Sequence, residues 1–102
     1  MAVLKITASN FQQEVLESSK PVILDFWASW SGPCQMQGPI FENAEKELGD
    51  KAVFGKVNVD EEQSLAQQFS VMSIPTIIVM ENGKVKSKNV GMQSLDALKK
   101  LI

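Results

Sequence analysis

Pro21-Val-Ile-Leu-Asp-Phe-Trp27, followed at once by Ala28-Ser-Trp-Ser-Gly-Pro-Cys34, is the stretch on which the fold turns. Its first half is a continuous apolar run broken only by Asp25. Such a run suits a strand covered on both faces, as in a sheet with helices on either side. Its second half carries Pro33 where a proline suits the first turn of a helix. The segment therefore predicts a buried strand, a tight turn and a helix start. A helix start presents unpaired N–H groups and the positive end of the helix dipole, which favour an anion. A thiolate placed there becomes a nucleophile near neutral pH. Ser31 is expected at the first exposed position of this turn, with the thiol of Cys34 one turn further into the helix.

Outward from this core, the pattern is strand and helix in alternation. Val3–Thr7 reads as a short first strand. Ser9 or Asn10 offers a cap for a helix with Phe11, Val15 and Leu16 inward, ending near Ser18. In the helix after Pro33, Met36, Ile40, Ala44 and Leu48 recur every four residues beside Phe41, with Pro39 inside and Gly49 as the stop. Met36 and Phe41 are both read as core. Ala52–Val59 is a strand and Glu61–Phe69 a short helix. Thr76–Met80 and Lys84–Val90 form a hairpin around Asn82-Gly83. Lys84, Lys86 and Lys88 alternate along its outer strand as a solvated face that resists edge-to-edge pairing. Ser94 caps a last helix with Leu95, Leu98, Leu101 and Ile102 inward. The order βαβαβαββα implies an α/β fold with one mixed sheet between helices. No linker or repeat interrupts it, and residues 1–102 are expected to be a single domain.

Composition narrows the function. All 10 basic residues are lysines against 12 acidic ones, a net charge of −2. The lack of arginine argues against nucleic-acid binding and against a basic membrane-surface module. With no histidine, Ser-His-Asp and Cys-His catalysis and His-ligated metals are excluded. The single cysteine cannot close an intrachain disulfide or supply a Cys-rich metal site, so no metal is expected. The uncharged stretches 26–41 and 63–80 contain Gln, Ser and Pro, so neither reads as a membrane span. The N-terminal residues lack the pattern of a signal peptide, and a cytoplasmic monomer is expected.

Trp30-Ser-Gly-Pro-Cys34 resembles the Trp-Cys-Gly-Pro-Cys motif of the thioredoxin family with its first cysteine replaced by serine. Other matches lie in the same order: Asp25 in Leu-Asp-Phe-Trp-Ala, Pro39 within the helix, Lys56 and Asp60 in Gly-Lys-Val-Asn-Val-Asp, Ile74-Pro75-Thr76, Asn82-Gly83 and Val90-Gly91. The resemblance covers essentially the whole chain. It implies a thioredoxin fold and a protein-disulfide reductase that uses no cofactor of its own. Its partners would be a flavoprotein thioredoxin reductase as electron donor and disulfide-containing protein substrates. Ser31 would occupy the position of the nucleophilic cysteine and Cys34 that of the resolving thiol. Asp25 would accept the proton during resolution, with Lys56 as its charge partner. Trp30, Gly32, Pro33, Ile74, Pro75, Val90, Gly91 and Met92 would bind substrate. The resemblance also implies a cis bond before Pro75, offering the Ile74 backbone to an added substrate strand.

Residue chemistry agrees in part. A carboxylate inside an apolar strand is expected to titrate high, which suits proton transfer. Cys34, below the rim and beside Asp25, is expected to be buried and slow to react. The departures are Ser31, which removes the nucleophile, Gln35 and Met72-Ser73, which make the face less basic than is common in the family, and Met92, which replaces a commonly small residue. Three readings stay open. The nucleophile was replaced, most simply by deliberate substitution; the chain is a natural binding module; or it works as a single-thiol redox protein through Cys34.

Overall fold

The apolar run becomes β2 (Val22–Trp27), the middle strand of a five-stranded sheet in a computed structural model that describes residues 2–102. The sheet order is β1-β3-β2-β4-β5, with β1 at Leu4–Lys5, β3 at Val53–Asn58, β4 at Thr76–Glu81 and β5 at Lys84–Val90. β2 runs parallel to β3 and antiparallel to β4, and β4 and β5 form the expected hairpin at one edge. Asn82 (φ 52°) and Gly83 (φ 76°) both take the left-handed backbone that a two-residue hairpin turn requires. Among the described residues the α-helices are α1 (Gly32–Leu48), α2 (Gln63–Gln68) and α3 (Leu95–Lys100). Ser94 caps α3 as expected, its hydroxyl accepting from Ala97 N–H at 3.1 Å.

Side-chain alternation along β2 divides the core into two layers. Val22, Leu24 and Phe26 face one layer with Phe11, Val15 and Leu65, beneath α2 and the turn Gln12–Leu16. Ile23 faces the other, with Phe41 and Ala44 of α1 and Leu98 of α3. Period-two alternation puts Asp25 on this second side, under α1.

Three local expectations are corrected. Met36 is not core: it is 63% exposed, while α1 buries Cys34, Gln37, Phe41, Ala44 and Glu45. A four-residue spacing advances about 40° past a full turn at each step, so a stripe from Met36 to Leu48 cannot keep to one face. The first helix is only a single wide turn over Gln12–Leu16, with Glu17 N–H bonded to Gln12 O at 3.0 Å. Neither Ser9 nor Asn10 caps it; the Asn10 side chain instead closes the preceding turn, accepting from Thr7 N–H at 2.8 Å and donating to Lys5 O at 2.9 Å. The first strand is also shorter than Val3–Thr7, although Ile6 N–H still bonds Lys56 O at 2.9 Å.

α3 is six residues long, too short to be stable by itself, so its place depends on the fully buried Leu98. Leu98→Ala should lower the unfolding free energy by about 2–5 kcal/mol. Urea denaturation reads this directly, and an unchanged midpoint would show that α3 is not part of the cooperative core.

Candidate active site

The site forms where β2 ends and α1 begins. Ser31 is the N-cap of α1 in extended conformation, and its Oγ accepts from Cys34 N–H at 3.3 Å. This hydroxyl satisfies one of the helix's orphan donors. Pro33 occupies the first turn of α1, where a missing N–H costs nothing. Ser31 is less open than its sequence position implied, at 6% exposure, because capping turns its side chain inward over the helix start. Cys34 is buried at 3% exposure and is the free thiol of the chain.

Beside this turn lies an open groove of about 520 Å³ lined by Trp30, Ser31, Gly32, Pro33, Val59, Val71, Met72, Ser73 and Ile74. Trp30 is 70% exposed, and its indole N–H donates to Asp60 Oδ2 at 2.9 Å, which fixes the ring at the groove edge. Gly32 and Pro33 are exposed beside it, and Cys34 is not part of the lining.

The Ile74–Pro75 bond is cis, as the resemblance implied. Thr76 Oγ1 donates to Ser73 O at 2.6 Å and closes the turn that carries it. Pro75 is itself buried; its carbonyl accepts from Gly91 N–H at 2.8 Å, bringing Gly91 (φ 91°) against the cis-proline segment. Val90 and the 39%-exposed Met92 flank Gly91 outside the groove lining. The predicted binding set thus divides into a groove half and a Gly91 half. Sequence reading missed Val59 and Val71 as lining; their signal is an apolar residue just past β3 and another just before the Ile74-Pro75 turn.

Beneath α1, Asp25 is fully buried, and neither carboxyl oxygen has a hydrogen-bond partner among the described residues. Its register partner on β3 is Lys56 and on β4 is Ile77. The Lys56 ammonium does not pair with it at contact; it lies 4.4 Å from the Trp27 ring centroid and close under Gly38 of α1. Burial raises the Asp25 pKa from 3.8 to about 6, and the positive charge of Lys56 opposes that rise. A carboxyl poised there can take up or release a proton near neutral pH.

A family model described as Thioredoxin matches residues 2–102. The chain belongs to the thioredoxin family. It is 47% identical over 85 residues to a thioredoxin of Chlorobaculum thiosulfatiphilum, covering 83% of this chain and 79% of that one. It is 42% identical over 102 residues to a thioredoxin of Bacillus subtilis, covering 100% and 96%. Among solved structures, a thioredoxin of Malassezia sympodialis is similar with a TM-score of 0.88 at 36% identity, over 98% of this chain and 87% of that one. The α/β thioredoxin fold is therefore shown by sequence and structure alike.

The raised pKa of Asp25 carries a stability consequence with a definite sign. The unfolded carboxyl ionises near 3.8 and the folded one near 6. Stability therefore falls as pH climbs from the unfolded value through the folded one, and the loss is complete above it. A rise from 3.8 to about 6 corresponds to roughly 3 kcal/mol. The stability of Asp25→Asn relative to the parent chain should therefore increase by about that amount between pH 4 and pH 7.5. Denaturation at several pH values tests it, and parallel stability curves for the two proteins would refute the assignment.

Proposed function

We propose that this chain carries the docking and proton-transfer apparatus of a protein-disulfide reductase without its attacking sulfur. The observation that carries the reading is the division of labour at the start of α1. The residue lining the groove and capping the helix is Ser31, whereas the sulfur, on Cys34, is buried and outside the groove lining. A serine hydroxyl does not ionise near neutral pH, and disulfide exchange needs a thiolate. Disulfide-bearing polypeptides and a flavoprotein reductase of the thioredoxin type would dock reversibly along Trp30, Gly32, Pro33, Ile74 and Pro75, with Val90, Gly91 and Met92 as the second edge. The protein would work as a cytoplasmic monomer.

With sulfur at position 31 the cycle balances. The residue-31 thiolate attacks one substrate sulfur, a mixed disulfide forms, and the other substrate sulfur leaves as thiolate. Cys34 then gives its proton to the Asp25 carboxylate and attacks the sulfur of residue 31. The substrate's second thiolate is released as an intrachain disulfide forms. The substrate gains the two electrons that the two protein thiols lose. Lys56 holds part of the Asp25 charge in check through its positive field. In the chain as it stands, the first step has no nucleophile.

The parent chain should show no reduction of insulin disulfides with dithiothreitol as electron source, and Ser31→Cys should gain it. Turnover by the parent that depends on Cys34 would replace this reading with single-thiol chemistry. An inactive but folded Ser31→Cys protein would identify a binding module instead.

A further inference from the structure

α1 buries one side chain that its apolar face does not explain. Gln37 lies one turn after Cys34 on the same face, with Phe41 and Ala44 beyond it, and is 0% exposed. A buried amide is costly unless both its ends are paired. Both are paired, and to a single distant residue. Gln37 Nε2 donates to Gln93 O at 3.0 Å, and Gln93 N–H donates to Gln37 Oε1 at 2.7 Å. The side chain thus treats the Gln93 backbone as a neighbouring strand would.

The connection continues. The Gln93 side chain donates from Nε2 to Gly91 O at 3.2 Å, and Gly91 N–H donates to Pro75 O at 2.8 Å. An unbroken polar path therefore joins the helix that carries Cys34 to the cis-proline turn, through the segment 91–93 between β5 and α3. That segment is the second edge of the docking site proposed above, and it is joined to α1 by these reciprocal bonds 56 positions apart in sequence. Gly91 is bonded to Pro75, so the 91–93 segment lies against the cis-proline turn that an extended polypeptide would cross. The Gln37 bonds tie that segment to α1.

We infer that Gln37 is a positioning residue: its two bonds to the Gln93 backbone set the distance between the α1 start and the Gly91–Met92 edge, and so tune the site toward extended polypeptide disulfides over small ones. Its functional half rests on the reductase reading above; its structural half does not. Gln37 touches no reacting atom and acts through Gln93 and Gly91.

Two variants separate the bonds from the bulk. Gln37→Leu fills a similar space without either bond, and Gln37→Glu keeps the acceptor for Gln93 N–H but loses the donor to Gln93 O. Native-state amide exchange on the chain with Ser31 in place is the first measurement. Gln93 N–H should exchange about 10-fold or more faster in Gln37→Leu, less so in Gln37→Glu, with β2 and β4 amides unchanged. Unchanged Gln93 exchange in Gln37→Leu overturns the clamp.

The second measurement places Gln37→Leu on Ser31→Cys and compares insulin with bis(2-hydroxyethyl) disulfide. KM for insulin should rise about 3- to 10-fold while the small disulfide is reduced as before. Equal slowing of both substrates, or of neither, overturns the positioning role. Should Ser31→Cys reduce no disulfide at all, the reductase reading fails, and the inference is reduced to the clamp, which the exchange data uphold or overturn independently.

Discussion

β2 is hydrogen-bonded on one side to β3 and on the other to β4, and both its faces are buried. Water reaches it nowhere along its middle, so any ionisable group there meets the full cost of desolvation. Asp25 is that group. Its carboxyl is held near pH 6 by burial, with the Lys56 charge acting against the shift from beside Trp27 rather than by contact. The same constraint aims the chain. A strand closed on both faces delivers its C-terminal end to one place, the turn where Trp30 emerges and Ser31 starts α1. The buried carboxyl, the capping hydroxyl and the thiol are gathered because they lie on or just beyond this one strand.

Ser31 suits its position for a local reason. An N-cap residue needs an oxygen acceptor for an orphan N–H, and the Ser31 hydroxyl supplies it to Cys34 N–H. Structure at the helix start and redox chemistry thus make separate demands on position 31. The Ser31 hydroxyl meets the first, and the groove forms beside it, but a hydroxyl supplies no thiolate for the second. Around that groove stand apolar side chains, Trp30, Val59, Val71, Met72 and Ile74, where electrostatic steering has little to act on. Under the proposed docking, partner choice would fall to shape and apolar fit.

Much of the fold was legible because its signals are local. The apolar run at 22–27, the Asn82-Gly83 turn and the Ser94 cap each depend on a few adjacent residues, and each stands where the sequence put it. Sequence and structure part where an outcome depends on partners far away in the chain. Met36 is apolar yet faces solvent, because the inward face of α1 is set by the sheet and by α3 rather than by apolar spacing. Asn10 had a good capping side chain but was claimed by Thr7 and Lys5. Ser31 stands by sequence at the exposed position of the turn, yet its hydroxyl points into the helix start. Gln37 carried no signal at all, since a glutamine inside a helix is unremarkable until its partner, Gln93, arrives from the far edge of the sheet. At the site, the motif residues and Pro75 were legible, while Val59 and Val71 reach the groove only through the packing of loops.

A groove-lining hydroxyl on Ser31 and a thiol on Cys34 closed off beneath it are kept apart at the start of α1. The rate of Cys34 alkylation in the native chain, set against the same chain unfolded in denaturant at the same pH, measures that separation most directly. Burial at 3% exposure predicts native labelling at least about 10-fold slower, limited by local opening of the α1 start. Native labelling as fast as in the unfolded chain would place the sulfur in the groove, within reach of a partner, and not beneath it.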